Sequence, residues 1–366
     1  MKSRDKDNKK TVESVLESRL SERVRGLSAY SVPHHECSVK LDGNESPFAL
    51  PPDVAERVVQ ETGRLELNRY PDAEAHDLRM LLSEISGFPS EGIILGNGSD
   101  EIIGMLVTAF TGGTGKVVCP APTFSMYRLS GLALGATILE PGLDEKFDLD
   151  MGRMQTLIEE KDPDIIFLAS PNNPTGNAYS EDRILEIIDL AGGLVVVDEA
   201  YGDFSGQSFL PLVREHGNLA VMRTLSKIGF AGLRLGMLYA GEGIVHEVNK
   251  VRYPYNINSV SQCAARVVLE NREFIAENVQ LVVKERGRVF GALSDIPGVE
   301  AFPSDANFIL FRVPNADSVF EGLIERDVLI RNFHRPGRLE NCLRVTIGTP
   351  GENDAFLAAL RGALSP

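Results

Sequence analysis

The sequence predicts an α/β fold: a mostly parallel sheet between helices, followed by a smaller α+β unit. Two observations carry this. From residue 51 to about residue 240, short apolar runs alternate with helical patterns, the mark of successive βαβ units. After Pro297 the pattern changes to mixed short strands and helices. At 366 residues, one large and one smaller domain are expected.

Along the chain, Val12, Val15, Leu16, Leu20 and Val24 recur at helical spacing. They predict an amphipathic N-terminal helix that needs a partner surface, in this subunit or in a second one. Residues 116–119, 136–139, 165–169 and 195–198 read as strands, and 221–222 as a strand end. Residues 102–110 read as an apolar helix. Residues 259–294 read as nearly continuous helix, broken near Asn271. A strand at 307–312, a helix at 316–325, strands at 328–331 and 343–347 and a final helix complete the pattern. The stretch Thr111-Gly112-Gly113-Thr114-Gly115-Lys116 imitates a nucleotide phosphate loop. It lacks the first glycine and the hydroxyl residue after lysine, so it reads as a helix-to-strand turn.

Composition narrows the function classes. The apolar fraction of 43% is ample for a core, and charged residues at 24% are average. A net charge of −15 makes nucleic acid and anionic membrane surfaces poor partners. Apolar stretches fall short of the ~20 residues that span a bilayer. The Lys- and Asp-rich first ten residues have no apolar signal-peptide core after them and read as a disordered tail. Cys37, Cys119, Cys263 and Cys342 form no Cys-x-x-Cys motif, which fits free thiols in a reducing cytoplasm. The six histidines show no metal-ligand spacing, so no metal is expected.

Four segments carry candidate chemistry. Thr224-Leu225-Ser226-Lys227, followed by Gly229, Gly232, Arg234 and Gly236, sets one lysine beside a hydroxyl, with an arginine seven residues on. Lysine forms a Schiff base with an aldehyde, and hydroxyl plus guanidinium can hold a phosphate. That combination suits a phosphorylated aldehyde; a surface lysine near a flexible loop is the plain alternative. Val195-Val196-Val197-Asp198-Glu199-Ala200-Tyr201 is a buried strand with a carboxylate at its carboxyl end, where open α/β sheets bind ligands. Asp198 could equally be a helix N-cap. Ser170-Pro171-Asn172-Asn173-Pro174-Thr175-Gly176 is a stiff loop that would fix an asparagine amide, or an ordinary turn. Leu95-Gly96-Asn97-Gly98-Ser99-Asp100-Glu101 opens a helix whose free N–H groups suit an anion. Its alternative is a simple cap by Ser99.

Taken in order, these motifs resemble the fold-type I aminotransferases that use pyridoxal phosphate. Within that group the chain is most similar to the histidinol-phosphate aminotransferase family. The resemblance runs from about Tyr30 to the last helix. Further segments that carry it are Leu41-Asp42-Gly43-Asn44-Glu45-Ser46-Pro47, Asn68-Arg69-Tyr70-Pro71-Asp72, Ala121-Pro122-Thr123-Phe124-Ser125-Met126-Tyr127 and Cys342-Leu343-Arg344-Val345-Thr346-Ile347-Gly348. Two departures stand out. The spacing from Lys227 to Arg234 is one residue shorter than in many members, and Phe124 stands where many have tyrosine.

The resemblance implies a large cofactor domain with a mostly parallel seven-stranded sheet, plus a smaller α+β C-terminal domain. The expected division is a tail and arm helix at 1–27, a large domain at 48–268, and a small domain from 28–47 and 269–366. It implies pyridoxal 5′-phosphate as cofactor and Lys227 as the residue that binds it and moves the proton. Asp198 would pair with the ring nitrogen, and Asn173 and Tyr201 with the ring oxygen. Phe124 would stack on the ring. Ser226, Arg234 and the N–H groups of Ser99 and Asp100 would hold the phosphate. Tyr70 would reach that phosphate from the neighbouring subunit of a homodimer; taken alone it reads as a core or surface tyrosine. Arg344 and Arg331 would clamp the substrate anion, although each could be a surface ion pair, and Tyr30 and Asn44 would also meet substrate. The implied reaction passes the amino group of L-histidinol phosphate to 2-oxoglutarate, in histidine biosynthesis. An aromatic amino acid aminotransferase and a phosphothreonine decarboxylase of the same fold are the alternatives.

Overall fold

Apolar five-residue runs become strands buried on both faces. The computed structural model describes residues 11–29 and 35–365. A short strand, β1 (Val39–Lys40), comes first. Seven strands follow: β2 (Ile93–Asn97), β3 (Lys116–Val118), β4 (Thr137–Leu139), β5 (Ile165–Ala169), β6 (Leu194–Asp198), β7 (Leu219–Thr224) and β8 (Leu235–Tyr239). They form one sheet in the order β2-β8-β7-β6-β5-β3-β4. Only β8 runs against its neighbours, so this is the mostly parallel seven-stranded sheet expected.

Side-chain alternation along these strands feeds two cores. Ile166, Leu168, Val195 and Val197 point into one, and Ile165, Phe167, Leu194 and Val196 into the other. The second core is closed by the helices Ser99–Thr111, Ser125–Leu134 and Glu242–Asn249. The first is larger. It runs on through the helix Glu273–Ser294 into the apolar side of the C-terminal part.

That part carries β9 (Glu300–Ala301), β10 (Phe308–Arg312), β11 (Val328–Leu329), β12 (Arg331–Asn332) and β13 (Cys342–Thr346). An antiparallel sheet has the order β12-β13-β10-β9, and β11 pairs in parallel with β1. The helices Ala316–Ile324 and Pro350–Leu364 pack on it. The second is closed at its start by a reciprocal cap between Thr349 and Glu352.

Three expectations need correction. The stretch 328–331 is not one strand. It breaks at Ile330, so that β11 joins β1 while β12 joins β13. The N-terminal periodicity yields two helices, Val12–Arg19 and Glu22–Arg25, because Leu20 leaves the helical region and Ser21 starts the second helix. Val12, Val15, Leu16, Leu20 and Val24 remain exposed in this chain. Ser99 is the first helical residue rather than a cap. The cap is Gly98, at φ +79°, a conformation that favours glycine. Tyr30 and the first ten residues lie outside the described residues. Among the described residues no helix is long and apolar enough to cross a membrane, and no group of three or more His, Cys, Asp or Glu is placed to hold a metal.

Candidate active site

Parallel strands end together at their carboxyl edge. Ala169 of β5, Asp198 of β6 and Thr224 of β7 open there into a cavity of about 590 Å³, large enough for a cofactor with substrate. The loops that follow these strands, the start of the helix Ser99–Thr111 and the sheet edge at Arg331 and Arg344 form its walls. It gathers Asn44, Ser99, Asp100, Phe124, Asn173, Asp198, Tyr201, Ser226, Lys227, Arg234, Arg331 and Arg344 from the whole length of the chain.

Asp198 is 4% exposed. Its Oδ2 accepts from the Tyr127 hydroxyl at 2.5 Å and its Oδ1 from the Ala200 N–H at 2.9 Å. Burial pushes its pKa up to about 6, while these two donors pull the other way and the nearby Asp100 and Glu199 charges add to the rise. The neighbouring Glu199 faces away from the cavity. It takes two hydrogen bonds from Arg223, at 2.9 and 2.8 Å, and one from the Phe209 N–H. This half-buried pair ties the end of β6 to β7, the strand that leads into Lys227.

Lys227 closes a short 3₁₀ turn, Leu225–Lys227, capped by Thr224, whose Oγ1 accepts from the Ser226 N–H. Its Nζ lies 5.7 Å from the centre of the Tyr201 ring. The Tyr201 hydroxyl accepts from the Asn44 amide at 2.8 Å. Asn44 in turn is tied to the small sheet through Thr346 and Asn307, so it spans the two sheets.

Of the adjacent asparagines, Asn172 is wholly buried and structural. It donates to Pro122 and Thr175 and accepts from Thr123. Asn173 faces the cavity, and its Oδ1 accepts from Arg344 Nη1 at 2.6 Å. Arg344 also donates to the Asp42 carbonyl at 2.7 Å, and its guanidinium lies between the rings of Phe308 and Phe333, each 5.1 Å away. Arg344 is therefore no surface ion pair: it is 5% exposed on a strand buried on both faces. Among the described residues no carboxylate pairs with Arg331 or with Arg335, a further cavity arginine.

A phosphate cradle is built at the other end. Arg234, in the left-handed conformation, pairs with Asp100 at 3.1 Å beside the start of the helix Ser99–Thr111. A Cβ on Gly98 would come within 2.5 Å of the Arg234 guanidinium, and one on Gly236 within 2.6 Å of the Ser99 nitrogen. Only glycine lets arginine, strand and helix start converge so closely. Free helix N–H groups, a guanidinium and the Ser226 hydroxyl suit a phosphate dianion. With a buried carboxylate, a lysine and the Phe124 ring in one cavity, the residues present fit pyridoxal phosphate.

Tyr70 is elsewhere. It is 81% exposed, stacks on Tyr255 at 4.5 Å and does not line this cavity. Sequence reasoning missed Tyr127, Thr224, Phe333, Arg335 and the Asp42 carbonyl. Tyr127 had a signal: it stands three residues after Phe124, where a helix puts two side chains on one face.

Residues 38–360 match the family described as aminotransferase class I and II. The chain belongs to this family. Among its relatives, this aminotransferase is 44% identical to the histidinol-phosphate aminotransferase of Aquifex aeolicus, over 94% of this chain and 98% of that one. It is also 44% identical to histidinol-phosphate aminotransferase 2 of Nitrosococcus oceani, over 92% and 95%. Its fold matches the crystal structure of histidinol-phosphate aminotransferase from Sinorhizobium meliloti in complex with pyridoxal-5′-phosphate, with a TM-score of 0.85 at 22% identity over 94% and 97% of the two chains. The L-threonine-O-3-phosphate decarboxylase of Porphyromonas gingivalis shares the fold at a TM-score of 0.77, with 22% identity over 89% and 99%.

Proposed function

We propose that this aminotransferase transfers the amino group of L-histidinol phosphate to 2-oxoglutarate, giving imidazole-acetol phosphate and L-glutamate in histidine biosynthesis. The observation that carries the substrate class is the placing of Arg331 opposite Arg344 on the wall of the cavity that also holds Lys227 and Asp198. Two guanidinium groups suit a phosphate dianion better than a lone carboxylate. The two relatives at 44% identity, both named histidinol-phosphate aminotransferase, support the same substrate.

Pyridoxal phosphate, when bound, supplies an aldehyde that takes up the amino group and a ring that withdraws electrons from the reacting carbon. Lys227 Nζ would hold it and would take up the proton lost by the amine-bearing carbon of the substrate. Asp198 accepts the ring N–H and so favours the protonated ring. The Tyr201 hydroxyl and the Asn173 amide serve the ring oxygen, and Phe124 flanks the ring. Ser226, Arg234 and the N–H groups of Ser99 and Asp100 hold the phosphate. Arg344 grips the substrate anion and orients Asn173 at the same time. Arg331 adds the second contact, and Asn44 and Tyr30 complete the substrate side. A homodimer in the cytoplasm, with Tyr70 reaching the partner's cofactor phosphate, completes the proposal. The exposed Tyr70 ring and the exposed Val12, Val15, Leu16 and Val24 of the N-terminal helices support the dimer.

A coupled assay with histidinol phosphate, phenylalanine and phosphothreonine side by side tests the reading. Histidinol phosphate is expected to give the highest specificity constant. Preference for phenylalanine, or carbon dioxide released from phosphothreonine, would replace it by one of the alternatives.

A further inference from the structure

Tyr127 is fully buried in the helix Ser125–Leu134. Its ring stacks on Phe167 of β5 at 4.8 Å and 5°, and Phe124 meets it edge-on at 5.6 Å. With the ring packed in this way, its hydroxyl donates to Asp198 Oδ2 at 2.5 Å. A buried phenol needs a partner, and here the partner is the residue that would meet the cofactor nitrogen.

We infer that Tyr127 is a positioning residue for the cofactor ring: its hydroxyl holds Asp198 in the one orientation and charge state that can accept a ring N–H. The inference rests on the proposed function above. An ionised carboxylate has about four lone-pair sites. Tyr127 and the Ala200 N–H occupy one on each oxygen, which fixes the carboxylate plane and leaves acceptor capacity toward the cavity. Burial alone favours the protonated acid, which would offer a donor where an acceptor is required. Tyr127 opposes that, because the hydrogen bond it donates is stronger to the ionised form. Its aromatic contacts join the same unit to Phe124, so the ring face and the ring nitrogen are set by one buried side chain.

The test compares two ligands by equilibrium dialysis: pyridoxal phosphate and its 1-deaza analogue, in which C–H replaces the ring nitrogen. Cofactor-free wild type, Tyr127→Phe, Asp198→Asn and the double variant are measured. Phenylalanine keeps both aromatic contacts, a thermal melt checks the fold, and Tyr127→Met serves as a second variant without the hydroxyl. Loss of a hydrogen bond to a charged group predicts that Tyr127→Phe weakens pyridoxal phosphate at least about fivefold more than the analogue. In the Asp198→Asn background the same change should cost less than about twofold, because the partner it acts through is gone. Equal weakening of both ligands, or none of either, would overturn the inference and leave Tyr127 as core packing. Failure of wild type to bind pyridoxal phosphate would instead overturn the cofactor reading itself.

Discussion

Arg331 and Arg344 stand directly across from each other, Cα partners on the adjacent antiparallel strands β12 and β13. Like charges in this relation repel by a few tenths to about 1 kcal/mol, so the pair is not there for stability. A dianion between them would relieve the repulsion. Among the described residues, of the two only Arg344 is built into a network, through Asn173 and Asp42. The two arginines should therefore fail differently.

Arg331→Ala is expected to lower the specificity constant for histidinol phosphate at least about tenfold, since a charged hydrogen bond is worth 1.5–3 kcal/mol. Glutamate, gripped mainly by Arg344, should lose less. Arg344→Ala should harm both donors, because it removes the shared anion contact and releases Asn173. Single-turnover kinetics with each donor separates the cases; equal losses in Arg331→Ala would show that Arg331 does not distinguish phosphate from carboxylate. Unphosphorylated histidinol reacting as fast as its ester would sink the substrate assignment.

Lys227→Ala is expected to abolish turnover. Wild-type protein with pyridoxal phosphate should be yellow, should bleach with borohydride, and should then carry the cofactor's added mass on the Lys227 peptide. An adduct on a lysine of the Lys227→Ala variant would displace Lys227 from its role.

Tyr70, 81% exposed and outside its own chain's cavity, should act in the partner's. Inactive Lys227→Ala and inactive Tyr70→Ala subunits, mixed and allowed to exchange, should regain part of the activity, because one site of each heterodimer has both residues. Absence of recovery after exchange is verified by mass spectrometry would argue against shared sites.

Asp198 gives a pH prediction for the cofactor-free protein. Its folded pKa of about 6 lies above the ordinary carboxylate value, so the folded state holds the proton more tightly. Stability from this group is full below about pH 4 and is lost as pH rises through 6. The total is on the order of 3 kcal/mol, of which roughly half falls between pH 5 and pH 8. Asp198→Asn, which cannot ionise, should gain stability over wild type by on the order of 1 kcal/mol between those pH values. Urea unfolding at pH 5 and pH 8 measures this, and an advantage that does not grow with pH would place the carboxylate's titration elsewhere.

The ligand end of the sheet was legible because the residues that matter there sit in short local patterns. An apolar β-branched run ending in Asp198, a stiff proline loop holding Asn173, and a Ser226-Lys227 turn before glycines each announce themselves within ten residues. The order of those patterns along the chain then pointed to one fold and one cofactor. What stayed hidden depended on residues far apart in sequence. Nothing local says that Asn172 turns inward while Asn173 turns to Arg344, 171 positions away. Nor does it say that the stretch 328–331 divides between two sheets, since both halves carry strand residues and only their partners differ.

By itself the sequence determined the class of fold and which chemistry-bearing side chains stand at the ends of the sheet strands, because backbone preference and apolar alternation act over a few residues. Tertiary structure alone decided that Arg331 faces Arg344, that Asn44 joins Tyr201 to the small sheet, and that Tyr127 spends its one hydrogen bond on Asp198. Buried polar groups must find partners, and in a folded chain those partners are chosen by packing rather than by nearness in sequence.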